Sequence, residues 1–259
     1  MFNKQKKVIK DADLDFLNRC DNSDLKLLSD FILIGNKSTW IEKYIHRNNN
    51  VRWSQSLTNK DVYKQNYPDN MKELVPELIK QLQLYGGNSI FNIVRSHGIC
   101  YRSILIKVAK AQKVNFNSSQ PTSLIETFLL QKILRTAIEK MNPDDVLHFS
   151  NNISKQVLLN NMGILNAGNP LFLKLTVIAV QRLAEKQGIK IVGGFLAKFV
   201  GSKWYTALTG PVGWAVSIAW SVFDVMGPAY RVMFPAVITI AYMRMKVDKS
   251  DETLNTLFS

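Results

Sequence analysis

The chain has 259 residues, 46% of them hydrophobic, which is enough for one large core or two modest ones and excludes disorder as the main state. Lys and Arg outnumber Asp and Glu by 33 to 20, and the resulting formal charge of +13 favours an anionic counterpart: a phospholipid surface, an acidic protein or nucleic acid. Cys20 and Cys100 lie far apart and outside any C-x-x-C spacing, so neither a zinc ribbon nor a redox dithiol is indicated, and a reducing cytoplasm fits.

The start, MFNKQKKVIKDADLDF, offers only Val8 and Ile9 as apolar residues before acid intervenes, far short of a signal-peptide core. The following stretch reads as a helical hairpin. Asp11 or Asp13 caps the first helix over Leu14, Phe16, Leu17 and Cys20, and Ser23 caps the second, where Leu25, Leu28, Phe31 and Ile32 recur at helical spacing. With a weaker helix in STWIEKYIH, this forms an N-terminal helical module over residues 1–47. Residues 48–68 are polar and read as a linker or loop, although Trp53, Tyr63 and Tyr67 argue against a pure spacer.

A central helical domain is expected over 69–168. Asp69 or Asn70 caps its first helix, with Leu74, Val75, Leu78, Ile79 and Leu82 on one face and Pro76 tolerated in the first turn. In YGGNS, Gly86 is placed to end that helix in the left-handed conformation. The next segment puts Tyr101, Ile104, Leu105 and Val108 on one side. Ser123 and Glu126 have the spacing of a capping box ahead of a strong amphipathic helix, and Asn142-Pro143 starts another. No period-two strand pattern occurs, so the class is mainly α, a multi-helix bundle.

Residues 169–259 form an apolar C-terminal helical region with a polar tail. The run from Trp204 to Phe223 carries no charge and has the length of a membrane span, but Thr206, Thr209, Gly210, Pro211, Gly213, Ser217 and Ser221 dilute it. Gly210-Pro211 reads as a helix start, leaving a rod too short to cross, and Gly227-Pro228 separates a second apolar helix containing Arg231 and Pro235. The expectation is an apolar helical hairpin in closely nested pieces. Around it Lys190, Lys198, Lys203, Arg231, Arg244 and Lys246 face only Asp224, a balance suited to an anionic leaflet, and its tryptophans suit a headgroup zone.

Recognisable chemistry is sparse. Asp11, Asp13 and Asp15 occupy the first ligand positions of an EF-hand, but Phe16 stands where the invariant Gly belongs and Asn22 where the bidentate Glu belongs, so no metal is assigned. His46, His97 and His148 show no metal-ligand spacing. No Walker loop, G-x-S-x-G elbow or G-x-G-x-x-G is present, so no catalytic residue or cofactor is assigned. Nucleic acid has only the net charge in its favour, without a recognisable motif.

The strings DADLDFLNRCDNSDLKLL, YGGNSIFNIVRSHGICYRSILIKVAK, GPVGWA and GPAYRVMFPAVITIAYMR, in that order, resemble the bacterial YaaW-like family. Through the middle helical region the resemblance extends to a ubiquinol-cytochrome c chaperone-like description; it implies an assembly-factor role and brings no catalytic residues.

The expected function is therefore non-enzymatic binding or assembly assistance by a cytoplasmic protein, with reversible, peripheral association at the inner membrane and an anionic membrane surface or acidic protein as partner. Trp214, Trp220, Tyr230 and Arg231 are the candidate anchor, and His97, Tyr101 and Arg102 a candidate polar recognition surface. Two alternatives stand beside it: a membrane-inserting or pore-forming effector using the same hairpin, and an enzyme with a site near His97.

Overall fold

Amphipathic segments broken by Gly, Pro and Asn bury their apolar stripes against one another, and the helices of this chain do so around its last apolar segment. In the computed structural model the described residues are 9–34, 57–58, 60–87, 98–150, 152–191, 194–198 and 203–249; they form helices and no strand. A 3-10 turn at Ala12–Arg19 leads into α1 (Asn22–Ile34). Helix α2 (Asp61–Asn66) and a 3-10 turn at Met71–Leu74 precede α3 (Val75–Gly87), followed by α4 (Tyr101–Ala111) and α5 (Thr122–Lys140). Short helices α6 (Pro143–Phe149) and α7 (Lys155–Asn160) connect to α8 (Pro170–Lys186) and the one-turn α9 (Gly194–Ala197). The chain then forms α10 (Lys203–Met226) and α11 (Pro228–Val247).

Helix α11 is the axis. It packs against α1, α3, α4, α5, α8, α10 and the first 3-10 turn, and its residues from Val232 to Met243 are all buried. A helix apolar on every side belongs in the middle of a bundle, where non-directional burial is worth about 1.5–3 kcal/mol per large side chain. Leu14 at one end of the sequence and Met243 at the other belong to the same continuous core.

Several local expectations change under tertiary packing. Helix α10 runs unbroken through Gly210-Pro211, so that pair is not a helix start. Packing on α8, α5 and α11 outweighs the break, and the Thr209 hydroxyl donates to the main-chain carbonyls of Tyr205 and Thr206 in the turn before Pro211. The second break is real, with Gly227 at φ 103° ahead of Pro228, a conformation that favours glycine. Gly86 lies within α3 instead of capping it, and a Cβ there would collide with the Ile104 side chain, so its role is close approach of α3 to α4.

Capping is partly done in trans. Asp11 does not cap its own turn; its Oδ2 accepts from the Tyr101 N–H at 2.6 Å, at the start of α4. The Asn22 side chain likewise accepts from Met71 N at 2.7 Å, in place of a cap from Asn70. Asn142 caps α6 as expected, accepting from Asp144 N. In the stretch expected as a linker, residues 61–66 are helical, and Tyr63 is buried and stacks on Tyr67 at 5.0 Å.

Candidate functional site

Two features stand out from the apolar packing: an exposed face on α10 and an ionic seam buried at the end of α11.

Along α10, Tyr205, Leu208, Val212, Ala215, Val216, Ala219 and Trp220 point inward. Thr206, Gly210, Trp214, Ser217, Ile218 and Ser221 share the opposite face and are exposed. At 1.5 Å per residue this charge-free stripe is about 22 Å long. Trp214 is 45% and Ile218 43% exposed, large apolar side chains in water with one helical turn between them. A basic side chain borders Trp214, and another lies over the buried Trp220. Lys140, at the end of α5, holds its Nζ 4.8 Å from the Trp214 ring centre, and Lys186, at the end of α8, holds its own 5.7 Å from that of Trp220. The Arg182 side chain runs beside Gly213, its guanidinium paired with Glu185.

The remaining anchor candidates are distributed differently. Trp220 is buried and meets Phe234 of α11 edge-on at 6.2 Å. Tyr230 and Arg231 are half-buried in the first turn of α11, where the Arg231 carbonyl accepts from Gln187 Nε2 at 3.0 Å. Of the four, Trp214 is the exposed one.

Of the residues expected to form a recognition surface, Tyr101 lies in the core and Arg102 is half-buried. Tyr101 is fully buried, because its apolar ring completes the core and its hydroxyl donates to Glu126 Oε1 at 2.7 Å. Arg102 ties the loop before α5 by donating to the carbonyls of Ser118 and Gln120 and to Thr122 Oγ1. His97 lies outside the described residues. Among the described residues no His, Cys, Asp and Glu side chains group in a way that could hold a metal ion.

The seam gathers charges from α11, from α5 and from Asp21 and Asp24 at the start of α1. Arg244 of α11 donates from Nε to Glu126 Oε2 at 2.8 Å and from Nη2 to the Asp13 carbonyl at 2.8 Å, with its guanidinium 4.2 Å from the Phe16 ring centre. One turn end further, Lys246 donates to Asp21 and Asp24, and Asp24 also faces the Tyr242 hydroxyl at 3.4 Å. Burial raises the Glu126 carboxyl above its ordinary range, and Arg244 and Tyr101 offset that only in part. The same balance, burial against Lys246, raises Asp24. Burial works against the charges of Arg244 and Lys246, but the facing carboxylates of Glu126 and Asp24 hold both protons more firmly than usual. Beside them, burial and then Asp24 push the Cys20 thiol up to about 12.

The sequence reading missed this seam. It gave Glu126 a capping role and counted Arg244 and Lys246 as surface cations. In the fold α5 begins at Thr122 without a side-chain cap, and Glu126 turns inward to Arg244. The available signal was a charge embedded in an apolar run on both sides: Glu126 within TSLIETFLL and Arg244 within IAYMRMKV.

A helical bundle wrapped around one helix that is buried and mainly apolar from Val232 to Met243 is the class of protein that these features define. Within that class, the chain belongs to the UPF0174 family. It is 31% identical over 206 residues to a UPF0174 protein of Helicobacter pylori 26695, covering 75% of this chain and 98% of that relative. It is 30% identical over 246 residues to the UPF0174 protein YaaW of Escherichia coli K12, covering 92% and 96%. A UPF0174 protein of Helicobacter pylori J99 is 29% identical over 259 residues, covering 95% and 96%. No family model matches the chain, and no solved structure matches it.

Proposed function

We propose that this chain is a non-enzymatic binding protein that docks reversibly on an anionic membrane surface through the outer face of α10, and assists assembly there without crossing the bilayer. The observation that carries the reading is the charge-free stripe with Trp214 and Ile218 exposed and Lys140 beside Trp214. An indole in water beside the Lys140 ammonium suits the headgroup layer, where the ring buries shallowly and the ammonium meets lipid phosphates. Each lysine near an anionic surface adds about 1 kcal/mol of attraction, and the net charge of +13 favours an anionic counterpart in the same sense. No helix among the described residues is long and apolar enough to cross a membrane, which favours docking over spanning.

Co-sedimentation with vesicles tests the proposal. Binding is expected to phosphatidylglycerol-containing vesicles at low salt, to weaken with added salt, and to be absent with neutral phosphatidylcholine. The variant Trp214→Ala should lose most of the binding while keeping the fold. Absence of binding to anionic vesicles at low salt refutes membrane docking and transfers the face to an acidic protein partner. Binding with immediate release of vesicle contents favours the pore-forming alternative.

A further inference from the structure

The contacts that hold the α10–α11 hairpin in the bundle are of two kinds. Along most of its length α11 offers apolar side chains, Val232, Phe234, Val237, Ile240 and Met243 among them, with the uncharged Thr239 as the one polar group between Val232 and Ala241. Such contacts are non-directional, and lipid tails can replace them at little cost. The last turn is different. Arg244 is held by Glu126 of α5 and the Asp13 carbonyl, and Lys246 by Asp21 and by Asp24 of α1. Tyr101 of α4 and Tyr242 complete the hydrogen bonds of the two buried carboxylates, and Asp11 ties the N-terminal segment to the start of α4.

Glu126 and Asp24 are each 3% exposed, so withdrawing α11 strands two carboxylates in the core and carries two cations away from their partners. Lipid cannot repay that loss. The acids come largely from the first segment of the sequence and the cations from the last helix, a separation of 222 positions for Lys246 and Asp24.

We propose that this ionic cluster is a conformational lock: the N-terminal segment and α5 bolt the end of α11, keeping the apolar hairpin closed so that the protein docks on a membrane without inserting. Displacing the N-terminal segment, or removing charge from one side of the cluster, frees the hairpin. The membrane consequence rests on the docking reading above, whereas the lock itself can be measured in buffer.

The test uses the full chain in three forms: wild type, the one-sided variant Asp24→Asn/Glu126→Gln, and a compensated variant that adds Arg244→Met/Lys246→Met. Hydrogen exchange of peptides covering α10 and α11 should be at least about tenfold faster in the one-sided variant while peptides of α6 and α7, which do not pack on the hairpin, stay near the wild-type rate, and should slow again in the compensated variant. With anionic vesicles loaded with dye, the one-sided variant should release severalfold more dye than wild type at equal bound protein.

Exchange in α11 at the wild-type rate in the one-sided variant overturns the lock. So does acceleration spread evenly over all helices. If the one-sided variant does not fold, the compensated variant decides: recovery of helical content supports the lock, and failure to recover overturns it. Failure of the wild type to bind vesicles removes the docking reading and leaves the lock to be judged on exchange alone.

Discussion

Replacing Arg244 with methionine removes the guanidinium that satisfies Glu126 and the Asp13 carbonyl, and keeps a stem of comparable length against Phe16. What remains is a carboxylate 3% exposed to water, holding one hydrogen bond from the Tyr101 hydroxyl. Stranding a buried charge costs about 3–5 kcal/mol. Loss of the cation over Phe16 adds roughly 0.5–1 kcal/mol, and the methionine returns part of this as apolar burial, so a net loss of about 3 kcal/mol is expected. Against a typical total of about 5–15 kcal/mol that is a large fraction, equivalent to a fall of roughly 6–12 °C in Tm for a domain of this size. Adding Glu126→Gln removes the stranded charge, keeps an acceptor for Tyr101, and should recover most of the loss. Urea unfolding followed by circular dichroism on wild type, both single variants and the double variant yields the coupling between the two positions. A loss below about 1 kcal/mol for Arg244→Met, or a double variant as unstable as the sum of the singles, would refute the account of the seam.

The same carboxylate makes a pH prediction. Burial raises Glu126 in the folded state, so the folded chain binds that proton more tightly than the unfolded chain; its contribution to stability grows as pH falls toward the ordinary carboxyl range and is lost as pH rises through the folded value. Wild type should therefore gain stability relative to Glu126→Gln between pH 7 and pH 5 in matched urea melts; a loss relative to that variant over the same range would mean that pairing with Arg244 outweighs burial. On the surface, Trp214→Ala should cost under about 1 kcal/mol of stability yet weaken vesicle binding by about tenfold, which corresponds to about 1.4 kcal/mol. Equal losses in both measurements would make Trp214 a packing residue. The Cys20 thiol, buried and held protonated, should resist a thiol reagent at pH 8 in the native chain and react once urea unfolds it. Rapid native labelling at Cys20 would contradict its burial.

Much of the fold was legible in local chemistry. The helical spacing of Leu25, Leu28, Phe31 and Ile32, the Asn142-Pro143 start and the Gly227-Pro228 break each act within one or two turns, and the structure contains them. The apolar character of the C-terminal helices was legible too, since composition alone marks a segment that must leave water. Trp214 could be nominated on the same grounds, but its exposure beside Lys140 depends on which face of α10 its neighbours cover.

What the sequence by itself determined is the class of the protein: helices, their approximate limits, and a surplus of positive charge. The tertiary structure decided which helix is central, that α10 continues through Pro211, and that Glu126, Asp24, Arg244 and Lys246 meet in the core. The physical reason is range. Propensity, capping and punctuation are settled between neighbours along the chain, whereas the value of a buried charge depends on a partner more than a hundred residues away, which only the folded packing brings within hydrogen-bond distance.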